Sequence, residues 1–251
     1  MYAIFVTGTA GSGKSLLTSR LIEWYASNNA YVVALNLDPG AVSLPYDPAV
    51  DVRDYVDIDT IMQSYTLGPN GALIMASDMI ATKLFDIQNA VDEVNPDYII
   101  IDTPGQLELF AYRESGPFFI SNFSCENKAA IFLFDGMMVS SPTNFVSIGL
   151  LATSIRLRLH IPQINILSKI DMMQEKKNVL AWSSNTALLE QAISGEKDSE
   201  NYLLNMRLVK SALRGEFSMG LLPVSSATAE GMINLGATLG RIFSMGEEVV
   251  D

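Results

Sequence analysis

The sequence has little of the chemistry that disulfides, zinc sites and nucleic-acid binding require. Its 251 residues include one cysteine, Cys125, and one histidine, His160. These two residues cannot form an internal disulfide or a Cys/His zinc site, and we expect both to be packing residues. Basic residues are also few, because 16 Lys and Arg stand against 28 Asp and Glu for a formal charge of -12. This charge repels polyanions, so we expect no direct contact with nucleic acid or with an anionic membrane surface.

Long hydrophobic runs are missing as well. No stretch reaches the ~18 uncharged apolar residues of a membrane span, because Asp, Lys or Arg interrupts each candidate. The N-terminal stretch MYAIFVTG has no basic region before its apolar residues, which predicts a strand rather than a signal peptide. We therefore expect a cytoplasmic protein without membrane contact. The mean hydropathy of +0.23 is high for a monomer, so we also expect an apolar partner surface and an oligomer.

Short apolar runs recur along the chain and are separated by segments with helical periodicity. Runs without polar alternation are typical of strands that are buried on both faces. The pattern predicts an α/β fold, in which a mostly parallel sheet is covered by helices on both faces, as a single domain over residues 1–251. An insert at about 174–217 predicts a helical hairpin with its turn in SGEKDSEN. The predicted strands are AIFVTG, YVVALNLD, DYIIIDTPG, AAIFLFDG, QINILSKID and LLPVSSA.

The first run leads into GTAGSGKS, residues 8 to 15, which matches G-x-x-x-x-G-K-[ST] between a strand and a helix. Glycines here let backbone N–H groups surround phosphates, and the positive end of the next helix adds to the attraction. We expect Lys14 to reach the β and γ phosphates, Ser15 to bind Mg²⁺ and the Leu16 amide to meet the α phosphate. The loop lacks the early lysine of partitioning-type ATPases, which disfavours an ATP-preferring protein without excluding it. The predicted nucleotide-binding residues of the loop are Ala10, Gly11, Ser12, Gly13, Lys14, Ser15 and Leu16.

The runs DYIIIDTPG and YVVALNLD both end in carboxylates at the same predicted edge of the sheet. We expect Asp102 to hold Mg²⁺ through water, the Gly105 amide to contact the γ phosphate and Gln106 to orient the attacking water. Asp38 is expected to meet Mg²⁺-bound water or the attacking water, in a loop that the γ phosphate orders. The plainer alternatives are a helix cap at Asp102, a surface residue at Gln106 and a simple turn at Asp38.

The runs QINILSKID and LLPVSSA end in residues suited to reading guanine. A lysine can lay its stem over the ring and an aspartate can accept two N–H donors, and Lys169 and Asp171 match this pair. Adenine lacks the donor pair, so a buried Asp171 would be left unmatched by ATP at a cost of about 1 to 3 kcal/mol. The Ala227 amide is expected to contact the guanine oxygen, with Ser226 shaping the turn. Base-reading motifs of this kind normally begin with Asn or Thr, whereas SKID begins with Ser168. We expect serine to keep a hydroxyl but to reach less far than the usual residue.

The stretch TLGPNGAL, residues 66 to 73, stands between two segments with helical periodicity. On local chemistry alone it predicts a surface β-turn, with Pro69 at the second position and Asn70 at the third. The flanking glycines relieve strain on either side of this turn. Taken alone, the stretch is an ordinary connection.

Seven motifs, in their order along the chain, resemble those of the GPN-loop GTPase family. They are GTAGSGKS, NLDPG, YDPAVDVRD, GPNGA, DTPGQLE, SKID and SSAT, and the resemblance runs from Met1 to about Gly240. Ser168 departs from the family pattern, and so does Gly40, where alanine is usual and where we expect only loop flexibility to change. The resemblance implies a P-loop NTPase fold with a helical insertion, and a Mg²⁺-dependent GTPase that converts GTP to GDP and phosphate.

The resemblance also implies a homodimer in which the loop of Gly68, Pro69 and Asn70 faces the partner's nucleotide site. There Pro69 would stiffen the tip and Asn70 would present an uncharged donor to phosphate. A protein client is implied too, for example during assembly of RNA polymerase. The apolar stretch SGPFFISNF is either a dimer contact or core, and the residues leave both open. The predicted catalytic residues are then Lys14, Asp38, Asn70, Asp102 and Gln106, and the predicted Mg²⁺ ligands are Ser15, Asp38 and Asp102.

Two other classes of function remain compatible with the motifs. A P-loop kinase would transfer the γ phosphoryl group to a small substrate, and it would need arginines as a lid over the phosphates. The insert offers Arg207 and Arg214, which are well separated. A scaffold, or an ATP-preferring switch, would bind nucleotide with negligible turnover.

Overall fold

The computed structural model describes residues 1–195, Arg207 and residues 220–244, with the backbone alone described at Glu108. Within this part of the chain, seven strands form one sheet in the order β3-β2-β4-β1-β5-β6-β7, and every pairing is parallel. The predicted α/β class is therefore confirmed. The strands are β1 Tyr2–Gly8, β2 Val32–Asn36, β3 Val50–Asp51, β4 Tyr98–Asp102, β5 Asn127–Asp135, β6 Gln163–Ser168 and β7 Leu221–Pro223.

Helices cover both faces of the sheet, as predicted. Alternate residues of β1 show this, because Ala3 and Phe5 lie in one hydrophobic core and Ile4 and Val6 in the other. The first core is completed by α2 to α9 and the second by α1 and α10. The described helices are α1 Lys14–Ser27, α2 Ile58–Tyr65, α3 Pro69–Thr82, α4 Leu84–Val94, α5 Leu107–Phe110, α6 Ser115–Asn122, α7 Pro142–Leu159, α8 Lys176–Ser184, α9 Thr186–Gly195 and α10 Met232–Ser244.

The edge strand β3 is absent from the six predicted strands. It contains two residues, and its first residue, Val50, pairs with Leu35 of β2. A pair of residues is too short to form the apolar run by which the other strands were recognised. The six-strand prediction was therefore incomplete at this edge.

The predicted β-turn at Gly-Pro-Asn is wrong. Pro69 begins α3, and Gly68 is its N-cap residue with φ of -74° and ψ of 169°. Proline is favoured at the first helical position because its missing N–H would have no partner there in any case. Asn70 consequently lies in the first turn of a fourteen-residue helix.

The described half of the insert packs against the core. Its helices α8 and α9 are separated at Asn185, and they bury Val179, Leu189 and Ile193 in the same core as α7. The predicted turn SGEKDSEN and the rest of the hairpin to residue 217 lie almost wholly outside the described residues. The hairpin thus stays a prediction.

Burial bears on two smaller expectations. His160 is exposed rather than packed, and it ends α7 with φ of 55°, a conformation in which histidine is tolerated. The stretch SGPFFISNF contributes Phe119, Ile120 and Phe123 to the core, with Phe119 and Phe123 stacked at 5.5 Å, and a dimer contact of its exposed residues stays a prediction. Its Phe118 remains 49% exposed. None of the helices described here is long and apolar enough to cross a membrane.

Candidate nucleotide site

A cavity of about 280 Å³ lies where the carboxyl ends of the central strands meet their following loops. Ligands of open α/β sheets bind at this kind of position. The cavity brings together seven predicted site residues that are spread over almost 100 positions of sequence, and three others that were not predicted. The predicted ones are Ala10, Gly11, Lys14, Ser15, Asp38, Gly105 and Gln106, and the additional ones are Gly40, Leu73 and Thr103.

The glycine loop between β1 and α1 has the backbone conformation that its sequence predicts. Gly11 and Gly13 have φ angles of 74° and 98°, in the left-handed region that other residues rarely adopt. Gly13 is the N-cap of α1, so the unpaired N–H groups of this helix start directly after the loop. The arrangement is suited to binding an anion.

Lys14 is buried and folds back over its own loop. Its Nζ donates to the carbonyl oxygens of Gly8 and Thr9, both at 3.1 Å. Burial lowers the pKa of Lys14, while the nearby carboxylates of Asp102 and Asp38 act in the opposite direction. An ammonium group has three donors, so a third N–H is left for a ligand such as phosphate.

Asp102 lies at the end of β4 and is only 2% exposed. Its Oδ2 accepts a hydrogen bond of 2.9 Å from the hydroxyl of Tyr46, whereas its Oδ1 is buried with no partner among the described residues. Burial raises the pKa of Asp102, and the hydroxyls of Ser15 and Tyr46 and the charge of Lys14 oppose this rise. An orphaned carboxylate oxygen beside a serine hydroxyl is a suitable environment for a hydrated cation.

The donor set is typical of Mg²⁺ rather than of a metal held by protein alone. No group of three or more His, Cys, Asp or Glu residues capable of holding a metal exists in the described part of the chain. Mg²⁺ is usually bound by one or two carboxylates together with waters and substrate phosphates. Ser15, Asp38 and Asp102 could therefore hold this ion once a nucleotide supplies phosphate oxygens.

Asp38, in the loop after β2, has both of the roles that the sequence allowed, a turn residue and a site residue. The backbone N–H of Asp38 donates to Asn36 Oδ1 at 3.0 Å, and the N–H of Gly40 donates to Asp38 Oδ1 at 2.9 Å. The residue thus starts a turn and also lines the cavity. A Cβ at Gly40 would lie 3.0 Å from Leu73 Cδ2, so the loop packs closely against α3 here, and the expected effect of Gly40 on loop flexibility stays a prediction.

The predicted base-reading residues lie beside the glycine loop. Lys169 Nζ donates to Gly11 O at 2.7 Å and to Asp135 Oδ2 at 2.8 Å. The Ser168 hydroxyl lies 3.0 Å from the carbonyl oxygen of Ser12. The Ser168 hydroxyl therefore contacts the glycine loop, and the expected loss of reach relative to Asn stays a prediction.

Ser225 is a site residue that the sequence analysis missed. Its hydroxyl donates to Asp171 Oδ1 at 2.6 Å and accepts from the Thr228 N–H at 3.1 Å. Asp171 itself is exposed, so the expectation that it is buried is wrong for this structure. The following loop is also tied to α1, because Arg20 Nε donates to Ser226 O at 2.7 Å and Nη2 to Ala227 O at 3.5 Å.

Asn70 does not enter the cavity of its own chain. Gly68, Pro69 and Asn70 are exposed at the start of α3, and none of them is a lining residue of the described cavity. One helical turn later, Leu73 of the same helix does line it.

Comparisons with known proteins agree on one family. A family model described as "Conserved hypothetical ATP binding protein" matches residues 6–245. GPN-loop GTPase 3 of Mycosarcoma maydis is 28% identical over 98% of this chain and 93% of its own length. GPN-loop GTPase PAB0955 of Pyrococcus abyssi is 35% identical over 70% of each chain. The crystal structure of PAB0955, "a GTPase in Apo form", superposes with a TM-score of 0.84 at 29% identity and covers 97% of both chains.

Proposed function

The chain belongs to the GPN-loop GTPase family and hydrolyses GTP, and from that premise we propose that it is a Mg²⁺-dependent homodimeric nucleotide switch. The observation that carries the proposal is the single cavity in which Lys14, Ser15, Asp38 and Gln106 converge. A cationic donor, a hydroxyl, a carboxylate and a carboxamide are the groups that phosphoryl transfer to water requires.

Each group has a role that follows from its chemistry. The loop amides and Lys14 hold the phosphates, and Lys169 and Asp171 hold guanine. Held by Ser15, Asp38 and Asp102, Mg²⁺ would supply positive charge beside the phosphate oxygens. Gln106 is exposed at the cavity and carries both a donor and an acceptor, so it can orient a water molecule toward the γ phosphate.

In the proposed homodimer, Asn70 of each subunit acts on the nucleotide of the other. Support comes from the exposure of Asn70 at the tip of a helix whose start is stiffened by Pro69. Hydrolysis then changes the contacts of this tip and of the Asp38 loop, so the dimer has two shapes. A protein client captured in one shape would be released in the other. The proposed client process is assembly of RNA polymerase in the cytoplasm.

The kinase alternative gains no support from the described residues. The lining of the described cavity contains no arginine that could close over the phosphates of a kinase. Arg207 is exposed, and Arg214 lies outside the described residues.

The proposed activity is tested by phosphate release from GTP and ATP, with Mg²⁺ and with excess EDTA. We expect GTP to be cleaved roughly tenfold faster than ATP or more, because guanine offers Asp171 two N–H donors that adenine lacks, and a hydrogen bond to a charged group contributes about 1.5 to 3 kcal/mol. EDTA should abolish turnover of both nucleotides. Equal rates with GTP and ATP, or full activity in EDTA, would contradict the proposed specificity or the proposed metal dependence, respectively.

Replacing Asp171 by asparagine should weaken GDP binding roughly tenfold or more and strengthen binding of xanthosine diphosphate. Asparagine offers one acceptor and one donor group where guanine needs two acceptors, and each charged hydrogen bond contributes about 1.5 to 3 kcal/mol. Isothermal titration with both nucleotides measures the change. Ser225→Ala is the matched variant, because it removes the 2.6 Å bond that orients Asp171 but leaves the carboxylate. Ser225→Ala should reduce GDP affinity less than Asp171→Asn does. If Asp171→Asn still prefers GDP to xanthosine diphosphate as strongly as the wild type, the proposed role of Asp171 is wrong.

A further inference from the structure

The loop between β2 and β3 brings a second polar group to the site besides Asp38. This group is the phenol of Tyr46, which donates to Asp102 Oδ2 at 2.9 Å across 56 positions of sequence. Tyr46 does not line the cavity, and it contacts the carboxylate from the side of the loop. Its contact with a buried carboxylate is unlike that of an ordinary surface tyrosine.

The loop is anchored at two points that precede Tyr46 in the chain. Before it, Arg53 Nη1 donates to the carbonyl oxygen of Ala41 at 2.9 Å. Arg53 is itself fixed, because its Nε lies 3.0 Å from both carboxylate oxygens of Asp51, a residue that is only 8% exposed. Next to the contact, the Ser19 hydroxyl of α1 donates to Pro45 O at 3.1 Å. The position of Tyr46 is therefore set by the loop and not by the phenol alone.

The two oxygens of Asp102 have different surroundings. Oδ2 holds the Tyr46 hydroxyl, and hydrogen bonds to an ionised acceptor are about twice as strong as neutral ones. Oδ1 is buried and has no partner among the described residues. A carboxylate with one oxygen fixed has a defined orientation, so its second oxygen is presented in a defined direction.

We propose that Tyr46 is a positioning residue for the nucleotide-bound Mg²⁺, because it orients Asp102 so that Oδ1 is the acceptor for water on the ion. The inference rests on the proposed function, since it needs a metal beside Asp102. The opposite arrangement is a phenol that occupies Asp102 and must leave before the ion binds. The two arrangements predict effects of opposite sign when the hydroxyl is removed.

The test is Tyr46→Phe, which removes the hydroxyl and keeps the ring. Mn²⁺ is the probe, and its affinity for the GDP complex of the full-length protein is read from electron paramagnetic resonance. We expect Mn²⁺ to bind roughly tenfold more weakly, the lower end of the range for groups that orient metal ligands. Tyr65→Phe is the control, because Tyr65 is 57% exposed on α2, and it should bind Mn²⁺ as the wild type does. Unchanged or tighter Mn²⁺ binding in Tyr46→Phe overturns the inference.

A second variant separates this inference from the proposed function. Asp102→Asn should weaken Mn²⁺ binding by itself, and Tyr46→Phe should then add little in the double variant, because it acts through Asp102. If Asp102→Asn weakens binding and Tyr46→Phe does not, the inference alone is wrong. If the wild type binds no Mn²⁺, or Asp102→Asn has no effect, the proposed metal site is wrong and the inference falls with it. Additive losses in the double variant also overturn the inference, since a merely structural role of Tyr46 would not depend on Asp102.

Discussion

Replacing Asn70 by alanine is expected to lower kcat for GTP about 100-fold, the loss typical when one donor to a transition-state charge is removed. The dissociation constant for GDP should stay unchanged, because Asn70 is expected to act on the γ phosphate, which GDP lacks. Phosphate release at saturating GTP measures the first quantity and isothermal titration the second. A protein that only binds nucleotide as a scaffold would show no change in either.

The control for this variant is another exposed side-chain amide on a neighbouring helix. Gln63 of α2 meets this description, and Gln63→Ala should keep the wild-type kcat. Both substitutions remove an exposed amide, so any loss of folding stability should be small and similar. If Asn70→Ala and Gln63→Ala have the same kcat, Asn70 has no part in hydrolysis.

Replacing Lys14 by alanine is expected to weaken GDP and GTP binding by a factor on the order of 100, and with it to abolish turnover. Lys14 is the one lysine among the residues that line the described cavity, and it keeps a donor for phosphate. Burial lowers the pKa of Lys14, which means that burial disfavours its charged form. Alanine carries no charge, so the variant should fold. Fluorescence titration with a labelled GDP measures the affinity.

Lys83→Ala provides the comparison for the Lys14 variant. Lys83 follows α3 and pairs with Asp86 at 3.4 Å on the surface, an interaction that contributes about 0 to 1 kcal/mol. This variant should bind GDP normally. Wild-type affinity in Lys14→Ala would contradict the assignment of the glycine loop as the phosphate site.

Contiguous motifs made much of the site predictable from the sequence. The glycine loop carries its own conformational signal, and the polar residues that end buried strands must meet at one edge of a parallel sheet. Lys14, Asp38 and Gln106 could therefore be placed together before the fold was known. By contrast, the contact of Tyr46 with Asp102 spans 56 positions, and that of Ser225 with Asp171 spans 54. Nothing local in the sequence specifies pairings at such separations.

The two errors in local structure have simple physical origins. Proline has the same φ at the second position of a β-turn and at the first position of a helix, so Pro69 is compatible with both. The helical outcome is decided by burial of Ala72, Ala76 and Ile80 along α3, which is a tertiary effect. Strand β3 is defined by its pairing with β2 rather than by its two residues, so composition alone could not reveal it.

The alternative to the proposed exchange of Asn70 between subunits is that Asn70 acts in the site of its own subunit. Asn70 and Leu73 are three residues apart on α3, and such residues lie on the same helical face. Because Leu73 lines the cavity of its own chain, a shift of the helix end could direct Asn70 into the same subunit's site. The two arrangements differ in which subunit must carry an intact Asn70.

Mixing the Asn70→Ala and Lys14→Ala proteins tests this point most directly. In a mixed dimer, the Lys14→Ala subunit lends its intact Asn70 to the intact cavity of the Asn70→Ala subunit. With random pairing at equal amounts, the account predicts recovery of about a quarter of the wild-type rate, because half of the dimers are mixed and each has one working site. No recovery in a sample that demonstrably contains mixed dimers would contradict it.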